Sequence, residues 1–363
     1  MTKGTRLEIH LPSLRHNLMQ IRLRLQPETK LLAVVKSFAY GADAVAISQC
    51  LEQEGIDYLG VAYVAEGAAL RKAGIQVPIL VLHPQTHELD RLVENQLEPS
   101  VYGWHVLHAL KKVLTAKEIQ NYPVHLKFNT GLNRLGFSTD QAGAVCQELL
   151  SSSMKLQGVL SHLAATEDLN EEGFTRLQLQ KFDALKPIFG TKPIYHVLNT
   201  SGIFNYPEAH HNMVRSGIGL YGYGNDPQIS THLKPVAVLK TNISQIHEVK
   251  SGSSVGYNRG FIATQKTRTA TLPLGHADGI GRHYGNGKGA VWIHGQKAPI
   301  LGNVCMDMIM VDVSSIDCTE GDEAIVFGGK NQNAEAFAEQ AGTISYEILT
   351  AISQRVRRVI IDD

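Results

Sequence analysis

The sequence has no excess of charge of either sign, no cluster of cysteines and no long hydrophobic run. Its 363 residues carry 34 basic and 34 acidic side chains, so the composition gives no indication of binding to nucleic acid or to an anionic membrane surface. Cys50, Cys146, Cys305 and Cys318 are too scattered for a disulfide framework or a paired metal spacing. No apolar run approaches the roughly 18 residues that a membrane span needs. We therefore expect a reduced, cytoplasmic protein outside the membrane, whose zero net charge permits self-association.

The N-terminal 25 residues contain several arginines, a feature that transit peptides share. Residues 6–11 nevertheless alternate like a strand, and Pro12 opens a stretch with leucine and isoleucine at helical spacing. This pattern favours a strand and a helix of the folded protein over a targeting peptide.

Short β-type runs alternate with helical stretches from residue 30 to about 220. Several of the runs are continuously apolar, as strands covered on both faces are. Eight such alternations predict an α/β fold, a parallel (β/α)8 barrel, and a doubly wound open sheet is the alternative because strand counts from one sequence are often off by one. The predicted strands are Leu31–Lys36, Asp57–Ala62, Val77–Leu82, Leu97–Tyr102, Pro123–Asn129, Leu156–His162, Ile194–Leu198 and Met213–Gly219.

The pattern changes after a turn-rich break at Gly222–Pro227. Beyond it lie mostly β-type runs, a hairpin candidate at Trp292–Ile300, two helix candidates and a last strand. We therefore expect a barrel domain over residues 1–230 and a mostly β domain over residues 231–363. The strand at 6–11 has no place in the barrel, so it is expected to pair with the second domain.

Polar residues stand at the ends of several predicted barrel strands, where the functional groups of such barrels lie. Lys36 is the most informative, because the five residues before it, 31–35, are all apolar, and burial lowers the pKa of a lysine and makes its amine nucleophilic. A strand-end lysine that extends to solvent is the alternative. The others are Lys127 with Arg134, His162, Asn199 with Thr200, and Arg215.

A lysine that forms a Schiff base needs an aldehyde, and pyridoxal phosphate (PLP) is the obvious one. Its phosphate would fit the turn Asn199–Gly202, which leads into a helix, and the glycine-containing run Arg215–Gly219. Loops after the seventh and eighth strands are the usual phosphate site of such barrels. A capped helix and a packed glycine corner remain as alternatives.

Two further patterns do not support a site. Gly217–Gly222 matches G-x-G-x-x-G, but it opens no βαβ unit, so we expect no dinucleotide site. His83, His87 and the pair His210-His211 lack matching ligands, so we expect surface loops there and no metal.

Two loops of the second domain complete the candidates. Ser254–Gly260 presents Tyr257 between glycines, and Gly302–Met308 places Met306 and Asp307 at a strand end. Ordinary packing of a tyrosine and a methionine is the alternative.

Six motifs in this order, over both domains, resemble those of the alanine racemases, PLP-dependent enzymes that combine a barrel with a β domain. The resemblance implies a homodimer with shared active sites and a supply of D-alanine for peptidoglycan. The motifs are Ala33-Val-Val-Lys36-Ser-Phe-Ala-Tyr40-Gly41, Lys127-Phe-Asn-Thr-Gly-Leu-Asn-Arg134-Leu-Gly-Phe137, Arg215-Ser-Gly-Ile218, Val255-Gly-Tyr257, Gly275-His-Ala-Asp-Gly279 and Val304-Cys-Met306-Asp307.

The resemblance also implies a role for each matching residue. Lys36 carries PLP and is the base on the face of the D-isomer, and Tyr257 from the partner subunit is the base for the L-isomer. Arg134 and the Met306–Asp307 segment, through the Met306 amide, hold the substrate carboxylate. The remaining matches are Lys127 as a lysine that is often carbamylated, His162 as the link between the catalytic tyrosine and Arg215, and Tyr40, Asn199, Thr200, Gly217, Ile218 and Tyr346 as cofactor contacts.

The physical chemistry of these roles is consistent. PLP spreads the charge of the carbanion that racemisation forms. An arginine against the pyridine nitrogen keeps its proton, which should limit side reactions such as transamination. Cationic neighbours would favour the phenolate of Tyr257 and so make it usable as a base.

Four positions depart from the family pattern. Phe38 stands where a small polar or acidic residue is common, Asn129 where aspartate is usual, His276 where tyrosine is, and Asn303 where arginine is frequent. None of them removes a proposed base, but they bear on pocket size and on substrate preference.

Three other functions remain open at this stage. One is a broad-specificity or serine racemase, because one methylene or hydroxyl changes binding by only about 1–3 kcal/mol. Another is a related PLP decarboxylase of basic amino acids. Cys305 favours it, because such enzymes usually carry a cysteine in the β domain, and Arg134 disfavours it, because a carboxylate-binding arginine suits a substrate that keeps its carboxylate. The third is a non-catalytic PLP-homeostasis protein, although such barrels generally lack the second domain.

Overall fold

The computed structural model describes residues 4–362, with Pro227 described by its backbone alone. The strands are β1 Arg6–His10, β2 Lys30–Val34, β3 Tyr58–Val61, β4 Ile79–Val81, β5 Glu98–Val101, β6 Tyr122–Asn129, β7 Phe137–Ser138, β8 Met154–Leu160, β9 Ile194–His196, β10 Met213–Ser216, β11 Ala237–Asn242, β12 Gln245–Val249, β13 Ser254–Val255, β14 Phe261–Ile262, β15 Thr267–Leu272, β16 Ala290–Ile293, β17 Gln296–Leu301, β18 Ile309–Asp312, β19 Glu323–Phe327 and β20 Arg357–Ile361. The helices are α1 Leu11–Arg22, α2 Lys36–Tyr40, α3 Ala44–Gln53, α4 Val64–Lys72, α5 Leu89–Glu94, α6 Trp104–Ala116, α7 Ala142–Leu150, α8 Glu172–Asp183, α9 Lys186–Phe189, α10 Thr200–Asn205, α11 Pro227–Ser230, α12 Ala334–Glu339 and α13 Ser345–Ala351. Short 3₁₀ turns occupy Thr86–Glu88, Thr139–Gln141, Leu169–Glu171, Pro207–Ala209, Tyr257–Arg259, His276–Asp278 and Arg282–Tyr284.

The chain divides into two compact units. One contains residues 15–39 and 44–233, and the other combines the N-terminal segment through Leu14 with residues 40–43 and the segment from Lys234 onward. Within the part of the chain that is described, no helix is both long and apolar enough to cross a membrane.

The first unit is a nearly closed barrel of eight parallel strands. Their order is β10-β2-β3-β4-β5-β6-β8-β9, and helices lie between successive strands. The seam between β9 and β10 is bridged where the Asn212 N–H donates to the Tyr195 carbonyl (3.2 Å) and the Arg215 N–H to the Leu198 carbonyl (3.1 Å). The (β/α)8 barrel predicted from the sequence is therefore confirmed, and the open sheet is not.

Apolar periodicity explains how the barrel elements form. The β2 strand buries every residue after Lys30, as expected of a strand covered on both faces. In α6, Val106, Leu107, Leu110 and Leu114 are buried and form one apolar stripe along the helix. Truncating such a leucine to alanine typically costs about 2–5 kcal/mol of stability.

The second unit is built on one nine-stranded sheet in the order β12-β15-β18-β17-β16-β19-β11-β1-β20. The strand β1, which has no place in the barrel, lies between β11, to which it is antiparallel, and β20, to which it is parallel. The hairpin expected at Trp292–Ile300 is confirmed by the antiparallel pairing of β16 and β17. A separate two-stranded ribbon, β13 and β14, leads into and out of the turn that holds Tyr257.

Some boundaries and one environment differ from the sequence predictions. The β2 strand ends at Val34, so Lys36 starts a turn instead of closing the strand, and β8 ends at Leu160, two residues before His162. His210 was expected in a surface loop, but it is buried, and its Nε2 hydrogen-bonds the carbonyl of Ile203 in α10 (3.0 Å).

Candidate functional site

Five sequence-predicted residues of the barrel unit lie within electrostatic range of one another. Burial, followed by Arg134, lowers the pKa of Lys36 below its usual 10.5. Burial, Arg215, Arg134 and Lys36 together lower the pKa of Lys127 to about 8. Burial and the charge of Arg215 hold the pKa of His162 well below 6.5, so this imidazole is neutral. The fold thus gathers four cationic groups around one neutral histidine.

Lys36 is presented by a left-handed turn. Ser37, Phe38 and Ala39 all have φ values of 54–55°, a conformation that costs roughly 1–2 kcal/mol per residue outside glycine. The carboxylate of Glu66 offsets part of this cost, because it accepts the N–H of Ser37 at 2.6 Å and the N–H of Ala62 at 2.7 Å. Glu66 therefore fixes the turn that aims Lys36.

Lys127 and Asn129 share one face of β6, because side chains alternate along a strand. Lys127 is 7% exposed. The Asn129 amide oxygen accepts the N–H groups of Gly131 (3.1 Å) and Asn133 (3.0 Å), and its Nδ2 donates to the Asn133 side chain (2.8 Å). Asn129 thereby shapes the loop that leads to Arg134.

Arg215 is 4% exposed and is held through both terminal nitrogens. Nη1 donates to Nδ1 (3.0 Å) and to the carbonyl (2.9 Å) of His196. Nη2 donates to the carbonyls of Ser161 (2.7 Å) and Val197 (2.9 Å) and to Nδ1 of His162 (3.0 Å). Burial, with a neighbouring arginine, lowers its pKa to about 9, so it stays charged at neutral pH. Its Nε has no hydrogen-bond partner among residues 4–362.

A second group of donors lies where β9 and β10 end. The Thr200 hydroxyl is 3.3 Å from the backbone nitrogens of Gly217 and Gly219 and 3.2 Å from the Ser216 hydroxyl. All four are buried or nearly so. Convergent N–H and O–H donors of this kind suit a phosphate.

Asn199 and Ile218 have structural roles beside this group. The Asn199 side-chain oxygen accepts the N–H of Gly202 (3.0 Å) and the hydroxyl of Thr166 (2.7 Å), and so caps α10. Ile218 is buried in the core. The capped helix, which the sequence left open, is therefore present.

Tyr257 belongs to the second unit and is 73% exposed. It opens a turn in which Asn258 and Arg259 have positive φ, and Asn303 Nδ2 donates to the Tyr257 carbonyl at 3.0 Å. Asn303, one of the four departures from the family pattern, therefore stabilises the turn that holds Tyr257.

The segment with Met306 is held by backbone contacts. The N–H groups of His276 and Ala277 donate to the carbonyls of Cys305 and Met306, each at 3.0 Å. A Cβ on Gly275 would lie 2.3 Å from the Cys305 oxygen, so only glycine permits this approach. Met306 itself remains 59% exposed.

The carboxylate of Asp307 is paired with an arginine. Arg355 Nη2 donates to the Asp307 carboxylate at 2.7 Å. The same guanidinium donates to the Asp278 carboxylate through Nε at 2.8 Å and through Nη2 at 2.9 Å. Asp307 therefore serves to fix its own loop. A groove of about 1010 Å³ lies beside it and is lined in part by Tyr257, Met306 and Met308.

Tyr40 and Tyr346, two predicted cofactor contacts, are neighbours in the second unit. Their ring centroids are 5.9 Å apart with the planes tilted by 47°. Burial raises the pKa of Tyr40, so its hydroxyl keeps its proton and can donate.

Sequence reasoning missed four residues that support the site. Glu66 holds the turn that begins at Lys36, His196 bonds Arg215, and His125 and Glu98 continue the hydrogen bonds from His196. A signal was present for His125, because His125, Lys127 and Asn129 occupy alternate positions of one strand and so share its polar face. Glu66 and Glu98 gave no local signal, since their partners are distant in the sequence.

The barrel residues fit an aldehyde cofactor that carries a phosphate. Lys36 supplies an amine whose pKa is lowered, Arg215 leaves its Nε unpaired among the described residues, and the Thr200 group supplies donors for an anion. No group of three or more histidine, cysteine, aspartate or glutamate side chains in the described part of the chain could hold a metal ion.

Two protein-family models match this chain. Residues 9–225 match the alanine racemase N-terminal domain, and residues 236–360 match the alanine racemase C-terminal domain.

Individual proteins agree with the family models. The chain is 34% identical to the alanine racemase of Thermodesulfovibrio yellowstonii over 368 residues, which cover 99% of this chain and 98% of the relative. The alanine racemase of Clostridium difficile 630 has a similar structure, with a TM-score of 0.95 at 33% identity, covering 100% of this chain and 97% of that one. An alanine racemase of Bartonella henselae with covalently bound pyridoxal phosphate gives a TM-score of 0.90 at 27% identity, covering 99% and 100%.

Proposed function

This chain belongs to the alanine racemase family of isomerases, and we propose that it interconverts L- and D-alanine with PLP bound in its barrel unit. The observation that carries the proposal is Lys36, whose amine has a lowered pKa and stands within electrostatic range of Arg134 at the strand ends of the barrel. A nucleophilic amine beside a carboxylate-binding guanidinium suits a free amino acid as the substrate.

The cofactor would be held by residues of the barrel unit. Lys36 would attach it, the unpaired Nε of Arg215 would meet the pyridine nitrogen, and the Thr200 hydroxyl with the N–H groups of Gly217 and Gly219 would bind the phosphate. By the family resemblance Tyr40 and Tyr346 add hydroxyls. When bound, PLP withdraws electrons from Cα of the attached amino acid and so makes its proton removable.

Racemisation requires a base on each face of Cα. Lys36 exchanges the proton on the face of the D-isomer, and its lowered pKa makes the neutral amine available at lower pH than for an ordinary lysine. Tyr257 of a second copy exchanges the proton on the opposite face. Arg215 keeps its own proton, which limits protonation of the pyridine nitrogen and with it transamination.

The substrate carboxylate would be bound by Arg134 and by the backbone N–H of Met306. A carbamate on Lys127 would give Arg134 an anionic partner that orients its fork. Two features support it: the pKa of Lys127 is about 8, so a useful fraction of the amine is neutral, and the surrounding charges are cationic. Asp307 acts indirectly, through its pairing with Arg355.

The active sites would be shared between two copies of the chain. Tyr257 and Met306 are largely exposed beside the groove of the second unit, which fits an interface with another copy. We infer that residues 1–230 form the cofactor domain and residues 231–363 the domain that completes the partner's site. The family role would be cytoplasmic supply of D-alanine for peptidoglycan.

The test is chiral analysis of alanine after the PLP-loaded protein has been incubated with pure L-alanine. We expect equal amounts of L- and D-alanine at equilibrium and no conversion by Lys36→Ala. Unchanged L-alanine would refute the proposal, and parallel incubations with L-serine and with basic amino acids would then separate a serine racemase from a decarboxylase that releases carbon dioxide.

A further inference from the structure

A chain of hydrogen-bonded side chains runs through the barrel interior to Arg215. Arg215 Nη1 is 3.0 Å from His196 Nδ1, His196 Nε2 is 3.0 Å from His125 Nδ1, and His125 Nε2 is 2.9 Å from Glu98 Oε2. Both imidazoles are fully buried and Glu98 is 9% exposed. This series of hydrogen-bonded side chains starts with Glu98 on β5 and continues through β6 and β9 to Arg215 on β10.

The two ends of this chain fix the position of every proton along it. The Glu98 carboxylate only accepts, so His125 must donate from Nε2 and leave Nδ1 unprotonated. His196 must then donate from Nε2, which leaves its Nδ1 free to accept from Arg215. Burial and the charge of Arg215 hold the pKa of His196 well below 6.5, in agreement with a neutral ring.

The reverse arrangement would disrupt the contact with Arg215. With the proton of His196 on Nδ1, an N–H would face an N–H of the guanidinium, and neither could accept. A buried donor left without an acceptor typically costs about 1–3 kcal/mol. The donor-only Arg215 and the acceptor-only Glu98 therefore favour the same direction of donation along this series of hydrogen bonds.

The fold makes room for these rings. A Cβ on Gly158 would lie 2.3 Å from His125 Nδ1, so the absence of a side chain there admits the imidazole. The ring of Tyr58 packs edge-on against His125, with centroids 5.9 Å apart at 78°. Four polar side chains and a glycine across five strands are more than core packing requires.

We propose that Glu98 is a positioning residue, which sets the tautomers of His125 and His196 and through them holds the Arg215 guanidinium with its Nε toward the cofactor site. This inference rests on the proposed racemase function, because the orientation of Arg215 affects the reaction only if PLP binds beside it. Glu98 itself touches neither substrate nor cofactor in this assignment.

The consequence concerns the choice between racemisation and transamination. In transamination alanine gives its amino group and two electrons to PLP and leaves as pyruvate, while the cofactor becomes pyridoxamine phosphate. An Arg215 that is held firmly keeps a proton from settling on the pyridine nitrogen and so disfavours this outcome. Loosening Arg215 should therefore raise the pyruvate formed per racemisation turnover.

The experiment compares the holoenzymes of Glu98→Leu and Glu98→Gln with the matched controls Glu94→Leu and Glu94→Gln. Glu94 ends α5 close to Glu98 in the chain, but its carboxylate is 62% exposed and pairs with Lys117. One readout is pyruvate released per racemisation turnover. The other is ¹⁵N NMR of the histidine rings, whose nitrogen shifts distinguish the tautomers, with signals assigned by His125→Asn and His196→Asn.

We expect wild-type His125 and His196 to carry their protons on Nε2. In Glu98→Leu a mixture of tautomers should appear, with about tenfold more pyruvate per turnover, the equivalent of one hydrogen bond to a charged group. Glu98→Gln, whose amide oxygen can still accept, should lie between Glu98→Leu and wild type, and both controls should match wild type.

An Nδ1-protonated ring in the wild type would overturn the proposal. So would unchanged tautomers and an unchanged pyruvate ratio in Glu98→Leu, or in Glu98→Gln if the leucine variant does not fold. Absence of racemisation in the wild type would instead refute the proposed function, since the ring tautomers are measured independently of turnover.

Discussion

Mixing two inactive variants provides a direct test of whether active sites are shared between subunits. Lys36 lies in the barrel unit and Tyr257 in the other unit, and the proposed mechanism takes one from each copy. Lys36→Ala and Tyr257→Phe should each be inactive as a pure dimer, because every site then lacks a base. In a hybrid dimer one site carries both substitutions and the other carries none.

The expected recovery follows from this arrangement. Random exchange of equal amounts makes half of the dimers hybrids, each with one intact site, so the mixture should reach about one quarter of wild-type activity. The assay is D-alanine formation after the subunits are mixed, dissociated in mild denaturant and reassociated. The Lys36→Ala variant treated alone is the control for the procedure. A mixture that stays inactive while mass spectrometry shows hybrid dimers would refute shared sites. If each active site were built from a single chain, every site in the hybrid would still lack either Lys36 or Tyr257.

Three further outcomes follow from the same geometry. The rate at which the apoprotein takes up PLP should rise with pH through a midpoint below 10.5, because only the neutral amine of Lys36 reacts. Glu66→Gln should lower that midpoint further, because the negative charge of Glu66 raises the pKa of Lys36. A carbamate on Lys127 should give a ¹³C NMR signal in labelled bicarbonate that Lys127→Arg lacks, and no difference between them would contradict the assignment. Phe337→Ala should lower the free energy of unfolding by about 3–5 kcal/mol in denaturant titrations, because the buried Phe337 ring stacks on Tyr284 at 4.1 Å; a loss below about 1 kcal/mol would contradict that packing.

The barrel was predictable because its signals are local. Continuous apolar runs give buried strands, and Gly55 and Gly74, both with positive φ, stand two residues after the ends of α3 and α4, where glycine is common. The turn after Val34 was not predictable, because its left-handed residues depend on Glu66, which is 29 positions away from Ser37. The local apolar pattern therefore predicts a strand that runs to Lys36, whereas the contact with Glu66 makes β2 end at Val34.

The site could be predicted only in part for the same reason. Lys36 closely follows β2, and Lys127 and Arg215 lie within β6 and β10, so the repeating α/β pattern reveals all three. The chain from Arg215 to Glu98 joins residues that are 19, 71 and 27 positions apart, and no local pattern connects them. Its members are recognisable only once the strands are arranged side by side.

The charges of the barrel site explain how a neutral amide can stand at Asn129, where the resemblance to the family leads one to expect aspartate. Lys36, Lys127, Arg134 and Arg215 repel one another, and within residues 4–362 neither Lys127 nor Arg134 has a carboxylate partner in an ion pair. In the proposed function the negative charge comes with what binds, namely the PLP phosphate, a substrate carboxylate and a carbamate on Lys127. Asn129 shapes its loop without adding a permanent anion that would compete with these ligands, so its neutrality is consistent with a site completed by anionic ligands.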